Sequence, residues 1–276
     1  MVSEILSPDF ACTESGTPFW RNTIPHKRGS ECKDRSDERF NLWEGDAIYR
    51  DAMSMNSYDD ITIDNLLDVT HTIVSFDGVT YPWEYLARIH EFILSWRPDD
   101  DSFLDLGGAR WVHRTARIDD SAKLDGPCII GANTEVRQCA FIRGNAVVGE
   151  GCVVGNSTEL KNVVLFDGVQ VPHYNYVGDS ILGYKAHMGA GAVTSNVKSD
   201  KTEVCIRCGE RRIPTGYRKM GAILGDRVEV GCNSVLNPGT IIGRNTNVYP
   251  LSSVRGVIPA NSIYKSAEII TLKRNG

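Results

Sequence analysis

From Val112 onward the chain counts in sixes. A large apolar residue recurs at Val112, Ile118, Leu124, Ile130, Val136, Ile142, Val148, Val154 and Leu160, and again at Leu224, Val230, Leu236, Ile242, Val248 and Val254. Neither the helical period nor the alternation of a strand produces this spacing. Two residues before each member from Ile118 to Leu160 stands a small residue: Ala116, Ala122, Cys128, Thr134, Ala140, Ala146, Cys152 and Thr158. Gly, Asn or Asp often follows the large residue, as in IIGAN and VVGEG, which suits tight turns. Short repeats at a fixed period specify a solenoid, and six is the period of a parallel β-helix with three hexapeptides to a coil. The large residue fills the interior while the small one lets coils stack, so Cys128 and Cys152 read as spacers in a core.

Composition narrows the function classes. A chain of 276 residues with net charge -5 has ample core material and no basic footprint for nucleic acid. No segment reaches the roughly 18 uninterrupted apolar residues of a membrane span, and the N-terminus lacks a secretory pattern. The expectation is a cytoplasmic protein, with its eight cysteines as packing or reactive thiols.

The count lapses between Leu160 and Leu182 and between Asn196 and Leu224. Excursions from a rigid solenoid are where chemistry is placed, and loop insertions are expected at 161–181 and 197–223. The first contains VPHYNYVGDS, in which a loop would lift His173 off the wall beside Tyr174, Tyr176 and Asp179. A neutral imidazole oriented by a carboxylate or carbonyl suits removal of a proton from an amine attacking a thioester. The Gly189-Ala190-Gly191 turn can offer backbone N–H groups to the resulting oxyanion. Arg143 and Lys161 are 18 residues apart, one full coil, which stacks them on one face as a phosphate clamp. Glu159 pairs with Lys161 or positions it. His187 is open between ligand contact and plain surface. Cys205-x-x-Cys208 lacks a second pair for structural zinc and reads as the tip of a hairpin, so no metal is expected.

The segment from Arg110 to Lys265 resembles the left-handed β-helix acyltransferases. Within it, FIRGNAVVGEGCVVGNSTELK, the VPHYNYVGDS stretch and HMGAGAVTSN look like the acetyltransferase half of the bacterial enzyme that acetylates glucosamine-1-phosphate and then uridylylates the product. The resemblance implies the left hand, a homotrimer, and acetyl-CoA or another acyl-CoA as co-substrate with no metal required. It makes His173 the catalytic base, with Glu159 and Ala190 also catalytic. Arg143, Lys161, Tyr176, His187, Asn196 and Lys219 become substrate-binding. Ala190, Cys232, Pro250, Arg255 and Lys265 become contacts for the acyl carrier. The family has asparagine where this chain has His187 and tyrosine where it has Val197, and it lacks the segment KSDKTEVCIRCGERRIPTGYR.

The fold expected is mainly β: a left-handed parallel β-helix at 110–265, a small α or α+β cap at 1–109 covering the first coil, and a tail at 266–276. In the cap, Trp83, Leu86, Ile89, His90, Ile93 and Leu94 share one side of a helix, and Phe19, Trp20, Phe40, Trp43 and Tyr49 suggest that residues 1–60 dock on something. The strand, glycine loop and helix of a nucleotide-binding domain do not occur together before residue 110. The function expected is acyl transfer to the amine of a phosphorylated or nucleotide-linked amino sugar. Two rivals stay open: a sugar-1-phosphate nucleotidyltransferase, for which Asp167 and Asp179 make a poor metal site, and a non-catalytic β-helix that binds a sugar nucleotide or a partner protein.

Overall fold

The computed structural model describes residues 59–209 and 211–273. The hexapeptides form a parallel β-helix with three faces. Face one runs through Arg110–His113, Cys128–Ile130, Ala146–Val148, the second half of Glu159–Leu165, the second half of Tyr176–Leu182, Ala222–Leu224, Thr240–Ile242 and Val257–Ile258. Face two stacks Arg117–Ile118, Glu135–Val136, Val153–Asn156, Gln170–His173, His187–Met188, Glu229–Val230, Asn247–Val248 and Ser262–Ser266. Face three carries Lys123–Leu124, Phe141–Ile142, the first halves of the two long strands, Val193–Thr194, Val235–Leu236 and Ser253–Val254.

Packing follows the pattern of large and small residues. Val148, Val154, Leu160, Leu224, Leu236 and Val254 are at most 1% exposed, and so are Cys128, Thr134, Ala140, Ala146, Cys152 and Thr158 beside them. Burial pushes the thiols of Cys128 and Cys152 up to about 12, which keeps them protonated and inert. The hydroxyl of Thr134 donates to the Gly149 carbonyl at 2.7 Å, so the polar spacers satisfy corner backbone.

The first lapse in the count is a contraction of the wall. Leu165 pairs with Val148, Val171 with Val154, Val177 with Leu160 and Leu182 with Leu165, each 17 residues on instead of 18. One residue is dropped between Leu160 and Leu165 and one between Val177 and Leu182, always at the corner from face three to face one. There the seven-residue strands Glu159–Leu165 and Tyr176–Leu182 bend without a turn, through Asn162 at φ 55° and Asp179 at φ 48°. The loop expected at 161–181 is therefore wall, because backbone pairing continues through it.

The second lapse leaves the same corner. It contains an antiparallel hairpin, Cys205–Cys208 with Arg211–Pro214, and returns where Val197 bridges Lys219. Cys205 and Cys208 lie on one strand of this hairpin, with Cys208 in the pair that closes its tip as expected and Cys205 three residues back. Among the described residues no cluster of His, Cys, Asp and Glu could hold a metal ion.

Apart from the strand Phe103–Asp105, which pairs with the first coil, the described residues ahead of that coil do not sit on its end. They descend along face one as a strap. Asp226 donates its N–H to Leu66 at 3.0 Å, Asp167 to His71 at 3.0 Å, Asn162 Nδ2 to Leu86 at 3.4 Å, and His90 Nδ1 meets Asn145 Oδ1 at 2.8 Å. Trp96 then packs edge-on against Trp111 of the first coil. The strap covers face one because its outward positions are apolar: Ile129, Val147, Val164, Ile181, Ile223 and Ile241 are all fully buried. The single helix expected around Trp83 divides into a 3-10 segment, Pro82–Ala87, and an α-helix, Ile89–Ser95. Trp83, Leu86, Ile89 and Ile93 are buried as expected, whereas His90 and Leu94 face outward.

Both ends are closed by short antiparallel strands. Phe103–Asp105 pairs with Arg110–His113, and Ile269–Leu272 with Ser262–Ser266, so the expected tail is an edge-capping strand. Phe19, Trp20, Phe40, Trp43 and Tyr49 lie outside the described residues. No helix among the described residues is long and apolar enough to cross a membrane.

The strap carries a pH signature. Asp226 is 3% exposed, accepts N–H groups of Asp68 and Tyr184 at 2.9 Å each, and has Arg244 Nε 3.1 Å away but poorly aligned for a hydrogen bond. Burial raises its carboxyl above the ordinary 3.8, with the two N–H groups and Arg244 pulling back. The folded state then holds the proton more tightly than the unfolded state. This contribution to stability is complete below 3.8 and is lost as pH rises through the raised folded value. The difference in urea midpoint between wild type and Asp226→Asn is expected to shift against wild type as pH rises from about 4. A difference independent of pH would contradict this.

Candidate active site

The turn that carries His173 and the Gly-Ala-Gly turn occupy neighbouring rungs at the corner from face two to face three. His173 ends the strand Gln170–His173, opposite Asn156, with its side chain exposed. Its carbonyl accepts the N–H of Gly191 at 3.0 Å. The N–H of Gly189 is spent on Val230 at 2.7 Å, whereas that of Ala190 makes no hydrogen bond among the described residues. Of the three donors expected for an oxyanion, only the Ala190 N–H is free of the ladder.

Asn175 joins the two turns. It is 2% exposed, its Oδ1 accepts the His173 N–H at 3.1 Å, and its Nδ2 donates to Gly189 and Ala192 carbonyls at 2.9 Å each. Sequence reasoning passed it over in favour of the flanking tyrosines. The available signal was an asparagine at a position where the repeat places small polar spacers such as Thr158, to whose Oγ1 it donates its N–H at 3.3 Å. Asn175→Ala leaves buried carbonyls and an N–H unpaired, and is expected to cost about 3 kcal/mol in denaturant unfolding. It should also lower turnover by about tenfold or more through misplacement of His173. Unchanged stability would show that water replaces the amide.

No carboxylate orients the His173 ring among the described residues. Asp179, the expected candidate, is committed elsewhere: it is 4% exposed and accepts Lys161 Nζ at 3.1 Å, Asn162 Nδ2 at 3.0 Å and Asn196 Nδ2 at 2.6 Å. Arg143 and Lys161 do lie on adjacent rungs, since Glu159 and Leu160 pair with Phe141 and Ile142. Each already has a carboxylate, however. Arg143 Nη1 is 3.0 Å from Glu159 Oε1 and Lys161 meets Asp179, so Glu159 serves the arginine, not the lysine as expected. An incoming phosphate would have to compete with both pairs.

Tyr176 and Asn196 join this cluster through a 3.2 Å hydrogen bond from Asn196 Nδ2 to the phenol oxygen. Burial, first, raises the Tyr176 hydroxyl above its usual value, so it stays a donor. Lys219 is exposed where the hairpin excursion rejoins the coil. His187 is held by Glu229, Nδ1 to Oε2 at 2.7 Å, on the next rung of face two.

The residues expected to line the acyl carrier divide. Ala190, Cys232, Pro250 and Ser266 follow one another at a single corner, since His187 pairs with Glu229, Glu229 with Asn247 and Asn247 with Ile263. Lys265 belongs to that row, its ammonium 5.9 Å from the Tyr249 ring. Arg255 does not. It stands at the corner from face three to face one, bonded to Asn237 at 2.9 Å, because it follows the strand Ser253–Val254 instead of preceding it.

Residues 124–268, just over half of the chain, match the family model described as the GMPPB C-terminal domain. The chain belongs to this family. It is also 33% identical over 171 residues to the uncharacterized acetyltransferase YaiX of Escherichia coli, covering 55% of this chain and 73% of that protein. A bifunctional sugar-1-phosphate nucleotidylyltransferase/acetyltransferase of Sulfurisphaera tokodaii is 31% identical over 166 residues, 54% of this chain and 41% of its own length. The bifunctional protein GlmU of Methanococcus maripaludis is 33% identical over 138 residues, 49% of this chain and 33% of its own. The chain thus spans less than half the length of these bifunctional relatives. Among solved structures, GDP-perosamine-bound PerB of Caulobacter crescentus matches with 16% identity and a TM-score of 0.32, over 59% of this chain and 56% of that one. The similarity to these acetyltransferase and bifunctional relatives bears out the resemblance to hexapeptide-repeat acyltransferases and to the bifunctional enzyme.

Proposed function

We propose that the protein is an acyl-CoA-dependent N-acyltransferase acting on the amine of a phosphorylated or nucleotide-linked amino sugar. The observation that carries this reading is the weld between two turns, in which Asn175 and the Gly191–His173 hydrogen bond hold an exposed imidazole beside the one unspent N–H of the Gly-Ala-Gly turn. That pair supplies what acyl transfer to an amine demands. The amine nitrogen attacks the thioester carbonyl, His173 takes its proton, the Ala190 N–H receives the oxyanion, and the C–S bond breaks to release CoA.

The cluster of Arg143, Glu159, Lys161, Tyr176, Asp179 and Asn196 supports substrate recognition. Its four charged members sum to zero as paired here, which suits a hydroxylated ring that exchanges hydrogen bonds better than a bare anion. Similarity to the archaeal bifunctional relatives supports the amino-sugar class. In this reading the acyl carrier lies along the row Ala190, Cys232, Pro250 and Lys265, and homotrimers place a neighbouring copy against it.

The test is release of CoA thiol from acetyl-CoA with glucosamine-1-phosphate and a panel of amino-sugar phosphates and nucleotide-linked amino sugars. Turnover with one acceptor supports the reading. Thiol release that no acceptor stimulates, in a protein that binds these sugars, moves the assignment to the non-catalytic alternative.

A further inference from the structure

The hairpin excursion at 197–219 builds a cationic pocket away from the turns of His173 and Ala190, and the source of its ligand rests on the acyl-transfer reading. In the hairpin Arg207 and Arg212 stand directly opposite each other across the two strands. Like charges in that arrangement destabilise, and a two-stranded hairpin has little stability to spare. Arg255 comes from the adjoining coil corner and Lys198 from the hairpin stem, and the four surround a cavity of about 70 Å³.

On the rungs before it at this corner, Arg143 and Lys161 each have a carboxylate partner. Here Arg207 and Arg212 have none among the described residues, and Arg255 meets only the neutral Asn237, at 2.9 Å. Lys198 alone has an acid near it, Asp200 at 3.5 Å. The convergence is held by the fold. Val204 and Ile206 are fully buried beneath the hairpin, and two glycines with positive φ, Gly239 at 79° and Gly256 at 83°, let it approach the coils. A Cβ at Gly239 would come within 2.9 Å of Val204 and one at Gly256 within 3.0 Å of the Arg207 carbonyl.

We propose that this pocket binds a phosphate group, with Arg207, Arg212 and Arg255 as its donors and Lys198 as a point charge. The four cations converge on a small opening into which one tetrahedral oxyanion fits. Guanidinium forks match such an anion bidentately and relieve the Arg207–Arg212 repulsion. The phosphate can come from the nucleotide end of the acyl carrier or from a nucleoside diphosphate on the sugar, both of which present this chemistry.

The experiment is calorimetric titration of the full chain with inorganic pyrophosphate. Arg207→Gln and Arg212→Glu are each expected to weaken binding at least tenfold, and Arg137→Gln, the same charge change on face two, to leave it unaltered. Arg212→Glu places an acid opposite Arg207 and should fold with an unchanged or raised Tm; should it fail to fold, Arg207→Gln decides. Displacement of pyrophosphate by 3′,5′-ADP assigns the acyl-carrier source, and displacement by a nucleoside diphosphate assigns the sugar-nucleotide source. Displacement by neither, or equal weakening by Arg137→Gln, overturns the proposal. Binding is read without turnover, so its failure leaves the His173 chemistry standing and the reverse holds as well.

Discussion

His173→Ala is expected to lower turnover by about 100- to 10,000-fold, the range that a positioned general base contributes, while stability stays within about 0.5 kcal/mol of wild type. The two halves of that statement have separate causes. The His173 backbone belongs to the ladder, through its pairing with Asn156 and the Gly191 bond, and survives truncation; the exposed ring is bonded to nothing among the described residues that folding requires. Initial rates of CoA thiol release and a denaturant curve on the same preparation check both. A variant that retains turnover within a few-fold removes His173 as the base. A variant that loses turnover together with several kcal/mol of stability reassigns the ring to a structural role.

Gly155→Ala is expected to be the most destabilising single methyl added to the coils, on the order of 4 kcal/mol or loss of the folded state. Gly155 lies one rung from Pro172, and a Cβ there would overlap the Pro172 carbonyl and Cα. Rigid backbone, not a side chain that can rotate away, fills the space, so relief requires the rungs to part. The displaced strand is the one that ends in His173, which couples this site in the wall to catalysis. Denaturant unfolding of the variant, compared with Gly151→Ala on the same coil, checks it. At Gly151 a Cβ meets no neighbour, although φ of 62° imposes its own smaller strain.

The solenoid is legible in the sequence because one physical requirement, an interior one residue wide at each strand, recurs at every rung and leaves a period. What the period does not express is less legible. The strap was read as an end cap because its apolar side shows only half of a contact. The other half is written on the coils, where Ile129, Val147, Val164, Ile181, Ile223 and Ile241 occupy outward positions that solvent would otherwise meet. A search for apolar residues one place before every third core residue finds that stripe. The two dropped residues at Leu165 and Leu182 looked like a loop for a related reason: periodicity measures spacing, and a tighter corner changes spacing without breaking the wall.

At the site, residue types were legible and partnerships were not. Ala190, Arg143 and Lys161 fall on the expected rungs, since rung membership follows from counting, whereas His173, expected in a loop off the wall, ends a strand of the wall. Which carboxylate meets which cation depends on side chains crossing between rungs, so Glu159 pairs with Arg143 instead of Lys161, and Asp179 with Lys161 instead of orienting His173. Arg255 was placed in the wrong row because its distance from Pro250 along the chain hides an intervening face.

The strap also changes how the molecule comes apart. A bare stack of coils unfolds rung by rung, each answering only to its neighbours. Here one segment grips rungs from Asp226 down to Trp111, so loosening any of them forfeits contacts shared by all, and that span melts as a single unit. The rungs beyond Ile242 are braced separately, by the hairpin where it meets Gly256 and by the strand Ile269–Leu272. Native-state hydrogen exchange would divide the chain there, with a cooperative block behind His173 and a C-terminal end, carrying Pro250 and Lys265, free to breathe without disturbing the imidazole.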